Sequence, residues 1–116
     1  MNHTLDLQAI RCALEEQRAF LSDRIARDET YLHTPVETSP DTFDLAQAQI
    51  TREQRAATLT QSQQQLAQIK IALQRLDNGT YGQCVECGDH IESGRLSALP
   101  YASLCVHCQT RREGLA

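Results

Sequence analysis

Leucine and isoleucine recur at helical intervals along the first third of the chain. Leu7, Ile10, Leu14, Leu21, Ile25 and Leu32 are three, four or seven residues apart with charges between them. One apolar stripe of this kind predicts an amphipathic helix from about Thr4 to about His33. The Thr34-Pro35 step ends it, because a proline ring disfavours a helical conformation in the residue before it. A second stripe runs through Ala46, Ile50, Ala57 and Leu59 and then Leu66, Ile69, Leu73 and Leu76, the last four at coiled-coil spacing. Ser39 and Pro40 suit the start of this second helix as cap and first residue, and Asp41 complements its positive end. The "DNG" at 77–79 closes it, with Gly79 free to adopt the left-handed conformation.

Two helices joined by so short a connector are antiparallel neighbours. Pairing Ile25 with Ile50 sets Leu32 near Phe43 and Leu7 near Ile69, so that the stripes face each other in that register. Gln17, Arg24 and Ser62 interrupt the seam, and the run "QSQQQLAQ" reads as a solvated helix face. At about 1.5 Å per residue the first helix is roughly 45 Å long. The expected shape is a hairpin with a tip at about 34–46.

Composition sharpens this picture. The 116 residues include three Tyr, two Phe and no Trp, too few aromatics for a core of ordinary size, and small cores commonly need a staple such as a metal. The net charge is −4, yet the interval from Arg27 to Arg52 holds Asp28, Glu29, Glu37, Asp41 and Asp44 and no Lys or Arg. Phosphate-backbone binding needs clustered cations, so direct DNA contact is not expected. The N-terminal stretch has no uninterrupted apolar run, and no window approaches the roughly 18 apolar residues of a membrane span. A cytoplasmic protein without membrane contact is expected.

The chemistry is concentrated near the C-terminus. Cys84-x2-Cys87 and Cys105-x2-Cys108 are separated by seventeen residues, a strong zinc signature. Each pair forms a turn that aims two sulfurs at one point, and two turns complete a tetrahedron at Zn–S distances of about 2.3 Å. Four protein ligands leave no open position for water, so one structural Zn²⁺ per chain is expected, with no hydrolytic role. His90 and His107 read as surface residues beside this set, and Cys12 as a filler thiol on the first helix. No nucleophile–base pair is visible, which argues against an enzyme.

Residues 78–109, "NGTYGQCVECGDHIESGRLSALPYASLCVHCQ", resemble the DksA/TraR zinc-finger family of bacterial transcription regulators. The family pattern G-x-Y-G-x-C-x-x-C-G, then R-L-x-A-x-P, then C-x-x-C is met at each position. A second match lies at the predicted bend. Members that act on polymerase carry D-x-x-D-x-A at the coiled-coil tip, and "DTFDLA" places Asp41, Asp44 and Ala46 on that pattern.

The resemblance implies a mainly α fold: an antiparallel coiled-coil hairpin over 1–78, then a four-cysteine zinc finger with a short C-terminal helix over 79–116. It implies a monomer that binds RNA polymerase and inserts the hairpin into the secondary channel, where the acidic tip alters promoter complexes. Some members are assisted by the alarmone ppGpp, held partly by basic residues near the finger. Here Gln109 follows the last cysteine, and the lower second helix offers only Lys70 and Arg75, which weakens the match to an alarmone site. The alternatives are a zinc-finger adaptor and a nucleic-acid-binding protein. The latter would have to rely on Arg95, Arg111 and Arg112.

Overall fold

The computed structural model describes residues 6–35 and 41–114. Four helices follow in order: α1 (Leu7–His33), α2 (Thr42–Asn78), α3 (Ser93–Ala98) and α4 (Val106–Glu113). Among the described residues the one isolated β-bridge joins Gln83 to His90. The mainly helical class read from the sequence is therefore correct. The chain forms two compact units, one of Met1–Arg18 with Ala67–Ala116 and one of Ala19–Leu66.

The ends of the two long helices follow from local chemistry. Asp6 opens α1 by accepting from the backbone N–H of Ala9 at 3.1 Å. Thr4 lies outside the described residues, as do Ser39 and Pro40. Asp41 caps α2, its Oδ1 accepting from Phe43 N–H at 2.9 Å, which satisfies one of the orphan donors of the first turn. At the far end of α2, Gly79 has φ +76° and Thr80 N–H donates to the carbonyl of Arg75 at 2.9 Å. These are the elements of a Schellman stop, as the "DNG" signal predicts.

In the unit of residues 19–66, α1 and α2 run antiparallel, but not in the register expected from the stripes. Arg55 pairs with Asp28 at 3.1 Å, and Arg52 donates to the carbonyls of Leu32 at 2.5 Å and Thr34 at 3.2 Å. Residue 32 therefore lies opposite residue 52 rather than Phe43, a displacement of about two helical turns. Phe43 is 70% exposed and Ile50 47% exposed, so neither packs as the apolar pairing required. The first two turns of α2 continue past the point where α1 ends. The physical reason is that Asp28 occupies a seam position, in step with Ile25 and Leu32, and is itself buried. A buried carboxylate demands a cation, and α2 supplies one at Arg55.

In the other unit, Leu14, Ile69 and Leu73 of the two expected stripes are buried, together with Ala72, while Ile10, Leu66 and Leu76 are partly buried. Leu7 is half exposed, and the salt bridge of Arg11 to Asp77 at 2.7 Å puts the start of α1 beyond Ile69, again shifted from the expected pairing. The remaining core is a cluster of Cys84, Ile91, Leu96, Ala102, Leu104, Cys105 and Cys108, with Tyr81 packed against it. Three of the four finger cysteines thus belong to the core itself.

Candidate metal centre and acidic tip

The first cysteine pair sits on a knuckle built by backbone hydrogen bonds. Cys84 N–H donates to the carbonyl of Asp89 at 2.8 Å, and Gly88 N–H donates to that of Cys84 at 3.0 Å. Closing so tight a turn requires Gly88 at φ +78°, a conformation that glycine adopts without the Cβ clash. The second pair spans the start of α4. Cys105 is its N-cap, and its sulfur accepts from the backbone N–H of Cys108 at 3.4 Å. One side chain therefore both begins the helix and faces the metal position.

The four sulfurs lie within 4.8 Å of one another, and those of Cys87 and Cys105 are 3.8 Å apart. A tetrahedral Zn–S distance of about 2.3 Å implies an S–S edge of about 3.8 Å, so the cluster has the size that one Zn²⁺ requires. Cys84, Cys105 and Cys108 are buried and Cys87 is exposed. Burial pushes the Cys84 thiol up, but hydrogen bonds from the backbone at Cys87, Cys105 and Glu86 bring it down to about 6. Burial, followed by the neighbouring sulfurs, pushes Cys108 up to about 12. Adjacent thiolates repel, and a divalent cation is what lets all four ionise together.

Around this centre the finger is tied down by arginine and tyrosine. Arg75 Nη2 donates to the carbonyls of Thr80, at 2.8 Å, and Gln83. Arg95 Nε donates to the carbonyl of Leu104 at 2.9 Å, and Tyr81 Oη donates to that of Pro100 at 2.7 Å. Glu86, inside the first Cys-x2-Cys turn, pairs with Arg112 at 2.5 Å and Arg111 at 3.7 Å, which links α4 to the knuckle. His90 and His107 are exposed and stand outside the sulfur cluster, as expected, while Cys12 is exposed rather than buried filler.

Asp44 and Ala46 lie in the opening turns of α2 and are exposed, with Asp41 immediately before them as the cap. Phe43 and Leu45 are exposed in the same turns. Residues 36–40 of the expected tip fall outside the described part of the chain. Sequence reasoning missed the cluster of Asp28, Tyr31, Arg52 and Arg55, in which the Arg55 guanidinium lies 4.6 Å from the Tyr31 ring centroid. The available signal was an acid on the seam of α1.

Comparison with known proteins identifies the finger and the family. Residues 79–114 match the prokaryotic dksA/traR C4-type zinc finger. The solved structure of the transcription factor DksA2 from Pseudomonas aeruginosa is 32% identical, with a TM-score of 0.75 over 93% of this chain and 83% of that one. The chain belongs to the DksA/TraR zinc-finger family. Its four-cysteine cluster is accordingly a C4-type site for one structural zinc.

A further family structure, the RNA polymerase binding protein and transcriptional regulator Dks from Chlamydia trachomatis, is 25% identical, with a TM-score of 0.58 over 96% of this chain and 93% of that one. The RNA polymerase-binding transcription factor DksA of Caulobacter vibrioides is 32% identical over 72% of this chain. This chain spans only 59% of that relative's length. The Escherichia coli DksA is 28% identical over 92% of this chain and 71% of its own length.

Proposed function

We propose that this chain is a transcription regulator that binds RNA polymerase and inserts its coiled coil, tip first, into the secondary channel, where Asp41, Asp44 and Ala46 modulate promoter complexes. The observation that carries the reading is the exposed start of α2. Asp44, Ala46 and the 70%-exposed Phe43 stand on helical turns that run beyond the end of α1, in a chain whose relatives are named for polymerase binding. Asp41 has a structural duty as the helix cap. Asp44 has no side-chain partner among the described residues, which leaves its carboxylate for a target.

Several features favour protein binding over the alternatives. Arg95, Arg111 and Arg112, the cations a nucleic-acid surface would use, are each held by a carbonyl or by Glu86. A site closed by four thiolates has no position for a substrate water, in keeping with a regulator rather than an enzyme. The alarmone ppGpp is not part of this proposal: Arg75 is held by two carbonyls, and a cleft of about 320 Å³ beside Gln109 has Arg95 as its one cation, with Glu113 opposing any phosphate. No described helix is long and apolar enough to cross a membrane, and the protein is proposed to act as a cytoplasmic monomer.

The test is Asp44→Asn, which removes one charge and keeps the size of the side chain. The variant is expected to bind core RNA polymerase within about twofold of the parent and to lose most of its effect on transcription in a purified assay. Equal activity of the two proteins would sink the tip assignment. Lost binding would move Asp44 into the docking surface.

A further inference from the structure

The C-terminal helix brings two of the four cysteines to the metal centre, yet little apolar contact holds it there. α4 has eight residues, too few for a helix to persist alone in water. Its one buried residue is Cys108, and Val106 is 48% exposed. The start of the helix is tied at several points. Cys105 caps it, Glu92 Oε2 accepts from Val106 N–H at 3.4 Å, and Arg95 holds the carbonyl of Leu104. Val85 N–H also donates to the carbonyl of Ser103 at 2.9 Å. All of these ties act at or before Val106.

The second turn is held differently. Gln109 bonds to Glu113 within the helix at 2.6 Å, and Gly114 N–H closes the turn on the carbonyl of Thr110. Among the described residues, the one polar partner of this turn outside α4 is Glu86. Its Oε1 meets Arg112 at 2.5 Å and its Oε2 meets Arg111 at 3.7 Å. Cations at a helix C-terminus complement the dipole wherever they point. Here both converge on one carboxylate, and that carboxylate belongs to the other half of the metal centre. Glu86 lies between Cys84 and Cys87, and its side chain is only 26% exposed. Release of a metal held by four thiolates requires the two cysteine pairs to part. The ion pairs of Glu86 span the same gap, from the first knuckle to α4.

We infer that Glu86, Arg111 and Arg112 are positioning residues of the metal centre, forming a clasp outside the sulfur cluster that seats the second turn of α4 on the first knuckle and slows the parting of the cysteine pairs. Groups beyond the ligands commonly tune how tightly a metal is held. Both arginines are exposed, so the clasp is modest in strength and is screened by salt. That sensitivity separates it from the buried contacts of the finger. The clasp does not depend on the function proposed above.

The experiment follows zinc release from the zinc-loaded full chain into EDTA, at chelator concentrations where the rate no longer depends on the chelator. Retained zinc is measured by metal analysis after rapid gel filtration. The parent is expected to release zinc several-fold faster at high than at low ionic strength. At low ionic strength, Glu86→Gln and Arg111→Gln/Arg112→Gln are each expected to release it about three- to tenfold faster than the parent, with the salt dependence gone. Combining all three changes should add nothing further, because both variants break the same contact. Arg112→Lys, which keeps a cation opposite Glu86, should stay within about twofold of the parent. Tyr81→Phe, which loosens the finger elsewhere, should leave the salt dependence intact. Parental release by Glu86→Gln, additive effects in the combined variant, or a parent rate indifferent to salt would each overturn the inference. Should Glu86→Gln fail to take up zinc, the arginine variants and the salt dependence of the parent decide the question, since they leave the first knuckle unaltered.

Discussion

The two units of this small protein are held together in opposite ways. In the finger-bearing unit the core and the metal site are the same object: Cys84, Cys105 and Cys108 lie in one cluster with Ile91, Leu96 and Leu104. In the unit of residues 19–66 the buried apolar residues are Leu21 and Ile25, and they share the seam with Asp28 and Ser62. One unit is fixed by a point of coordination that tolerates no sliding. The other is a pair of helices with few buried apolar side chains, in which a buried carboxylate paired with Arg55 takes a place in the seam. The difference shows that one short chain can combine a compact, metal-centred core with a thin helical pair whose seam is partly polar.

Removing the metal should separate the units most strongly. Cys84→Ser, or a strong chelator, is expected to unfold the finger, because binding free energies of about 10–16 kcal/mol in small zinc modules are folding free energies. Residues 19–66 should keep most of their helical circular dichroism. A cooperative loss of all helix on chelation would show that the second unit depends on the first. A smaller contrast comes from truncating one aliphatic residue in each unit. Leu14→Ala, at a fully buried site, should cost about 2–5 kcal/mol in chemical denaturation. Ile50→Ala, at a site 47% exposed, should stay within about 0.5 kcal/mol. Equal costs would mean that Ile50 is packed in solution, as the register expected from the stripes requires.

The smallest effect tests a single tie in the finger. Tyr81→Phe removes the hydroxyl that donates to Pro100 and should cost about 1 kcal/mol. Burial, opposed in part by Arg75, pushes the Tyr81 phenol up to about 12 from an ordinary 10.0. A raised pKa means that the folded state holds the proton more tightly, so this contribution is fully present below pH 10 and fades as pH rises through about 12. The difference between parent and variant should therefore be flat from pH 7 to 9. A slope across that range would point to a titrating group other than Tyr81.

Much of this molecule was legible in its sequence. The two Cys-x2-Cys turns, the glycine stop after α2 and the existence of two long antiparallel helices each rest on local rules that tertiary structure did not override. Register was the failure, and its cause is specific. Matching Ile25 to Ile50 weighed only the upper apolar residues, whereas Asp28 stands three residues after Ile25 on the same stripe and is buried beside Arg55, and Leu14, Ile69 and Leu73 are the buried residues of the lower stripes. The ties made by Arg75 and Arg95 were not legible either, because both arginines bond to backbone carbonyls, and a sequence does not display which carbonyls a loop leaves open. Cys12 was assigned to filler on residue type, and the fold left it at the surface.

The division of the chain also imposes an order on its birth. Residues 19–66 are contiguous and can pair as soon as they leave the ribosome. The other unit joins Met1–Arg18 to Ala67–Ala116, so its earliest-made part waits for its latest. At about 5–20 residues per second, roughly two to eight seconds separate Leu66 from Cys108. During that interval Leu14, destined for complete burial, lacks the partners that will cover it. Capture of zinc by the last cysteine and closure over the first helix are then a single late event, and a nascent chain starved of zinc is left with its N-terminal segment open to chaperones and proteases.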